Sequence, residues 1–311
     1  MKADLELLSP AKINLFLDVI GKRKDAYHDI ITIFEKIDFC DRIKFTPLDR
    51  KPSLTEPSGF NDGIEITSNL NELATDKNNL VYRACSLLKK KYGISKPVKI
   101  HIEKRIPIAA GLGGASSNAA TTLKGLNRLW NLNIKDSELS NLGKEIGADV
   151  PFFIFNHSFA LGSARGDEIN PIESDLEMWH VIISPPVRIL TKKIYQIYDD
   201  TNLNLTDVRR DVRIIVRAIE KKDFGEIKKH LYNALEPIVS KKVTDISKAK
   251  DFIKKMGFDA ICVTGSGPAI FVLTSKRKEA EDLKEKLVKS FVSGRFRNDW
   301  KIFVAKTLTS T

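Results

Sequence analysis

The chain has 311 residues, 42% hydrophobic and 29% charged, and its 51 Lys and Arg against 40 Asp and Glu leave a formal net charge of +11. Such proportions exclude a disordered or fibrous chain and allow a sizeable core in one large or two medium domains. The longest apolar runs, such as "VPFFIF" and "AIFVL", fall well short of the ~18–20 residues needed to span a bilayer. Cys40, Cys85 and Cys262 are far apart and odd in number, so neither a disulfide framework nor a zinc site is indicated, which suits a reducing cytoplasm. The N-terminus lacks a small-residue cleavage site and alternates like a strand, so no signal peptide is expected. The charge admits nucleic acid, an acidic membrane or an anionic small substrate. Much of it lies among acids on predicted helices such as "KRKEAEDLKEKLVK", the pattern of a solvated surface. Neither nucleic acid nor membrane is expected as a partner.

In chain order, "KINLFLDVI", "IITIFEKI" and "DRIKFTPL" alternate as strands, and "DRKPSLTEPSGFNDG" has the punctuation of an exposed loop. "GIEITS" is a short strand. "TDKNNLVYRACSLLKKKYG" reads as a helix stopped by Gly93. "KPVKIHIEKRIP" sends Val98, Ile100 and Ile102 to one face and Lys99, His101 and Glu103 to the other. Next comes "IPIAAGLGGASSNAA", and a helix follows with Ala119, Leu123, Leu126 and Trp130 at helical spacing. "DSELSNLGKEIG" is a further helix with Asp136 as its candidate cap. The segment "GSARGDEINPIESDLEMW" is polar and broken, and a domain boundary is expected near it. Beyond it come the strand "HVIISPP", several helices, the strands of "AICVTGSGPAIFVL", a helix and the strand "KIFVAKTL". Strands and helices interleave in both halves, so the expected class is α+β with two domains.

Three segments carry candidate chemistry. A strand feeding a Gly-rich turn that opens a helix is a common phosphate cradle, because Gly admits φ > 0 and close backbone approach, and the helix N-terminus adds unpaired donors. "GLGGASS" is neither a P-loop, since no Lys follows the glycines, nor GxGxxG. Its other reading is a tight connection whose glycines serve packing alone. In "SPAKINLFLDVIGKRKDAYHDI", alternation puts Lys12, Asn14, Phe16 and Asp18 on one face, either a site or an ordinary wet sheet face. In "GADVPFFIF", Asp149 stands where an Asp caps a helix with Pro in its first turn.

Together these segments resemble the GHMP kinase superfamily, whose three motifs appear in order as "PAKINLFL", "PIAAGLGGASSNAA" and "VTGSGPAIFVL". The resemblance runs from Lys12 to the closing "FVAKTL". Its narrower form, in "PAKINLFLDVIGKRKDAYHDI", "GADVPFF" and "NNLVYRA", is to the branch acting on a cytidyl diphosphate of methylerythritol. The resemblance implies an α+β, two-domain GHMP kinase fold. Residues 1–165 would form a ribosomal-protein-like, ATP-binding domain and residues 166–311 a ferredoxin-like, substrate-capping domain.

It further implies that Lys12 and Asp149 are the catalytic pair. Asn14, Tyr27 and His28 would line the substrate site, the last two beside the cytosine, with Tyr195 stacking on that ring from the second domain. Gly265, Ser266 and Gly267 would close over the diphosphate. The ATP phosphates would lie on Pro107, Ile108, Ala109, Ala110, Gly111, Leu112, Gly113, Gly114, Ala115, Ser116 and Ser117, with Asn79 near the nucleotide base. ATP and Mg²⁺ are the implied cofactors, Ser117 is a candidate metal contact, and the expected state is a cytoplasmic monomer or homodimer. Two residues depart from the family pattern. Ala26 stands where Gly usually precedes Tyr-His, and Ala115 where a third consecutive Gly is common; a positive φ at either would cost of order 1 kcal/mol. The rival readings are a homoserine- or mevalonate-type kinase of the same superfamily and a non-enzymatic basic protein that binds RNA.

Overall fold

The structure is a computed structural model that describes residues 4–49, 63–201, 211–292 and 299–309. It divides into two compact units. The first comprises Met1–Ala11, Phe39–Ile106 and Gly113–Asn156, and the second Lys12–Asp38, Pro107–Leu112 and His157–Thr311. Two long strands, β1 (Leu5–Lys22) and β2 (His28–Pro47), contribute residues to both. "IITIFEKI" and "DRIKFTPL", expected as separate strands, are continuous within β2. The expected loop "DRKPSLTEPSGFNDG" falls mostly outside the described residues.

In the first unit follow β3 (Ile64–Ser68), α1 (Leu80–Tyr92), β4 (Val98–Glu103), α2 (Gly114–Trp130), α3 (Asp136–Ile146) and α4 (Val150–Ile154). β4 runs antiparallel to β2 from Arg42 to Pro47 and parallel to β3 on its other side. The period-two pattern of β4 puts Val98, Ile100 and Ile102 fully inside. They join Ile43, Phe45, Leu123 and Leu126 in the core. Helix α1 is bounded at both ends as the sequence predicts. Asn79 caps it by accepting from the Val81 N–H, and Gly93 ends it at φ 64°. At α3 the cap position falls on Lys135, and Asp136 is the first helical residue, with Glu138 in the same turn complementing the helix dipole.

The second unit holds β5 (Phe159–Ser163), β6 (Glu168–Ile172), β7 (Trp179–Ser184), α5 (Thr191–Asp200), α6 (Val212–Glu220), α7 (Phe224–Lys229), β8 (Tyr232–Asn233), α8 (Glu236–Lys242), α9 (Thr244–Lys255), β9 (Ile261–Val263), β10 (Ile270–Thr274), α10 (Arg277–Val292) and β11 (Lys301–Lys306). Its antiparallel sheet has the order β11-β7-β10-β9. Val181, Ile183, Ile270 and Val272 of that sheet meet Leu283 and Leu287 of α10 in one apolar core. The segment expected to be broken takes in the end of β5 and all of β6, which pair as a hairpin, and β5 also pairs with β2 at Thr32–Glu35. Among the described residues β6 pairs only with β5, and an edge strand tolerates the polar composition and Pro171 that hid it.

The mixed helix and sheet content agrees with the expected α+β class. Basic residues of the late helices pair with acids one turn away, as in Arg277–Glu281 and Lys289–Glu285 of α10. Among the described residues no helix is long and apolar enough to cross a membrane.

Candidate active site

The second unit gathers three widely separated stretches at one point. Lys12 and Asn14 of β1 are buried at 3% and 1% exposure, and Lys12 Nζ donates to Asn14 Oδ1 at 2.6 Å. The alternative of a wet sheet face does not hold here, since Ala11 through Leu17 are buried on both faces. Asn14 Nδ2 in turn donates to Thr32 Oγ1 of β2 at 2.7 Å, so the amide oxygen is turned toward the lysine. The loop between β9 and β10 closes on this pair. The Asn14 N–H donates to Thr264 Oγ1 at 3.1 Å, and a Cβ built on Gly265 would meet Gly111 O, Lys12 Nζ and Asn14 Oδ1 at 3.1, 3.3 and 3.4 Å.

Gly111 is held from the same side. The Lys12 N–H donates to Leu112 O and the Ala269 N–H to Ala110 O. A Cβ on Gly111, at φ 82°, would lie 2.2 Å from Thr264 O. Glycine at 111 is thus required twice over, by conformation and by approach. Gly265 and Gly267 also take positive φ. Asn233 Nδ2 donates to Val263 O and Gly265 O and so fixes the β9–β10 loop from beneath. Ser266 is buried, its hydroxyl 2.8 Å from Thr191 Oγ1.

The base-recognition candidates also lie in the second unit. Tyr195 of α5 stacks on His28 at 4.7 Å between ring centres and 26° between planes. His28 Nε2 is 2.6 Å from Asp199 Oδ1. Tyr27 stands apart from that stack at 55% exposure, with the Arg165 guanidinium 5.1 Å from its ring centre. Its turn includes Ala26 at φ 65°. That departure is therefore strained, while Ala115 lies in α2 with no positive φ and carries no such cost.

The remaining candidates are divided between the units: Pro107–Leu112 belong to the second, and Asn79, Gly113–Ser117 and Asp149 to the first. Gly113, at φ 69°, is the cap of α2, without a side chain to occupy the first-turn donors and without an acid in that turn. Such an end attracts anions through its N–H groups and dipole. Pro107, Ile108 and Gly113 are half-buried, Leu112 and Gly114 buried, and Ala109 and Ala115 exposed. Ser116 is half-buried. Ser117 is fully buried, its hydroxyl 2.8 Å from Ser9 Oγ, which also accepts from Asn118 Nδ2.

A buried Lys104–Asp41 pair (2.6 Å) supports the approach to the loop. Asp41 Oδ1 accepts from the Arg105 and Ile106 N–H groups, and Lys104 Nζ donates to Ile106 O. Asp149 caps α4 by position without a capping hydrogen bond from its side chain. Asn79 spends its amide on the α1 cap and on Ala74 O, at 2.6 Å.

Thr32, Asn233, Asp199 and Asp41 were not singled out by sequence reasoning. Each acts through a partner far along the chain, which local spacing does not reveal. Thr264 lies inside the quoted "VTGSGP" and was within reach of that motif.

Residues 79–157 match the GHMP kinases N terminal domain and residues 215–293 the GHMP kinases C terminal domain. Both parts of the chain thus carry the domains of this class of small-molecule kinases. Over 270 residues the chain is 41% identical to the 4-diphosphocytidyl-2-C-methyl-D-erythritol kinase of Geobacillus kaustophilus, covering 86% of this chain and 88% of that protein. The crystal structure of a 4-(cytidine 5'-diphospho)-2C-methyl-D-erythritol kinase superposes with a TM-score of 0.75 at 27% identity, over 97% of this chain and 98% of that one. The chain belongs to the 4-diphosphocytidyl-2-C-methyl-D-erythritol kinase family. The homoserine kinase of Cytophaga hutchinsonii shares the fold, with a TM-score of 0.75 at 18% identity over 99% of this chain and 96% of that one.

Proposed function

We propose that the protein transfers the γ-phosphoryl of ATP to the 2-hydroxyl of 4-diphosphocytidyl-2-C-methyl-D-erythritol, giving the 2-phosphate and ADP in the non-mevalonate isoprenoid route. The observation that carries this reading is the convergence of all three superfamily motifs on Lys12, Asn14, Gly111 and Gly265. Phosphoryl transfer asks for positioning and charge stabilisation more than for covalent chemistry. The backbone from Pro107 to Ser117 holds the phosphates. Asp149 orients the acceptor hydroxyl and takes its proton late in a loose transition state, since an alcohol is far less acidic than a carboxylic acid. Lys12 steadies charge on the transferring group. Tyr27, His28 and Tyr195 hold the cytosine, and Gly265, Ser266 and Gly267 cover the diphosphate.

ATP-binding residues then fall within 1–165 and capping residues within 166–311. Among the described residues no three His, Cys, Asp or Glu side chains form a metal site. Mg²⁺ enters with the nucleotide, and Ser117, whose hydroxyl lies 2.8 Å from Ser9 Oγ, is its candidate side-chain contact. The three buried free cysteines suit the cytoplasm.

Tyr27 and His28 favour a cytidyl substrate over homoserine or mevalonate. ADP release in the presence and absence of 4-diphosphocytidyl-2-C-methyl-D-erythritol tests the reading. Release that depends on this compound is expected, and release that depends instead on homoserine or mevalonate would replace it.

A further inference from the structure

His28 is nearly buried, and one face of its ring lies under Tyr195 while Tyr198 meets it edge-on, with centres 6.4 Å apart and planes at 86°. Its Nε2 is 2.6 Å from Asp199 Oδ1, and the other carboxylate oxygen of Asp199 receives Lys22 Nζ at 2.7 Å. Burial works to raise the Asp199 pKa, but hydrogen bonds from Lys22 and His28 prevail and hold it below the usual carboxylate range. An ionised carboxylate can only accept, so a neutral His28 must carry its proton on Nε2 and present a lone pair at Nδ1. Among the described residues Nδ1 has no hydrogen-bond partner.

A cytosine joined to a sugar through its ring nitrogen has one donor on its edge, the exocyclic amino group. Uracil has a carbonyl oxygen at that place. We propose that Asp199 is a positioning residue that sets base specificity: by holding the His28 proton on Nε2 it leaves Nδ1 an acceptor, which selects a 4-aminopyrimidine over its 4-oxo counterpart. This rests on the reading above that His28 lies beside the cytosine. Lys22 strengthens the device. In Asp199→Asn the lysine, a donor only, draws the amide oxygen to itself and turns the amide NH₂ toward His28. The imidazole proton is then driven to Nδ1, where it faces the amino group of cytosine donor to donor.

The test compares kcat/KM for the cytidyl substrate and its uridyl analogue in wild type, Asp199→Asn, Asp199→Glu and His28→Ala, with imidazole nitrogen chemical shifts measured by NMR. Wild type should show the Nε2–H tautomer and prefer the cytidyl compound. Asp199→Asn should show the Nδ1–H tautomer and lose roughly tenfold or more of the preference, with KM for ATP unchanged. Asp199→Glu should restore part of it. An unchanged preference in Asp199→Asn, with His28→Ala losing it, overturns the role of Asp199 alone. An unchanged preference in His28→Ala overturns the placement of the base as well, and so does a wild type that turns over neither nucleotide.

Discussion

Ala26 holds φ 65° between two charged turn residues and the exposed Tyr27. For an L residue with a Cβ that region costs of order 1–2 kcal/mol, partly offset by the lower entropy of an unfolded chain with Ala in place of Gly. Ala26→Gly should therefore raise stability by about 0.5–1 kcal/mol, measured by denaturant unfolding. A loss of stability would show that the turn relieves the strain in another way. At Asp149 the question is chemical. Its side chain makes no capping hydrogen bond, so Asp149→Asn keeps the cap position and size while removing the proton acceptor. It should fold as wild type and lower kcat by at least ~10²-fold. Near-normal turnover would take the base role away from this residue.

The Gly-rich connection and the β9–β10 loop act as one device, because Gly111 and Thr264 are in backbone contact. Gly111→Ala would put a methyl 2.2 Å from Thr264 O in a left-handed conformation. Both faults fall among the few mechanisms that produce large single-residue losses, so about 2 kcal/mol or more of stability should go, together with most of the activity. Ala115→Gly is the contrasting change. Ala115 is exposed on the first turn of α2, so glycine there should cost under about 1 kcal/mol and leave ATP affinity near wild type. Thermal unfolding and ATP titration of the two variants side by side distinguish them.

The contrast also marks what the amino acids disclose by themselves. The run of glycines announces a cradle, but which glycine is indispensable depends on Thr264, 153 residues away. Regular elements were legible where period and boundary agreed, as in β4 with its alternate buried residues and α1 with Asn79 and Gly93. β8 is two residues long and β6 is a polar edge strand, so neither has a periodic signal to read. Asp199 is the first of the two acids that close "KKIYQIYDD", and composition alone does not tell the acid that grips His28 from its neighbour.

Across the whole molecule, longer connections matter more than any motif. Glu35 of β2, His180 of β7 and Thr307 just beyond β11 meet in the second unit. His180 Nε2 is 2.8 Å from Glu35 Oε1, and Thr307 Oγ1 donates to that same oxygen at 2.6 Å. All three residues are fully buried. The Met178 N–H donates to Thr307 Oγ1, and Thr307 bridges to Ile37 across the strands. The trio therefore ties the C-terminal end of the chain to two sheet strands. Among the described residues Glu35 Oε2 and His180 Nδ1 have no hydrogen-bond partner, so the arrangement is specific without being fully satisfied.

A buried pair of this kind contributes little net stability, but truncating one member leaves the other desolvated and alone. Glu35→Leu should cost about 3–5 kcal/mol, because His180 and Thr307 both lose their acceptor. Glu35→Leu combined with His180→Phe should recover most of that loss, since the two apolar side chains fill the same space. Chemical denaturation of the two single variants and the double variant measures the coupling. If the double variant were as unstable as the sum of the singles, the trio would be three separate packing positions. The tie between chain end and sheet would then have to be sought in the β11–β7 ladder.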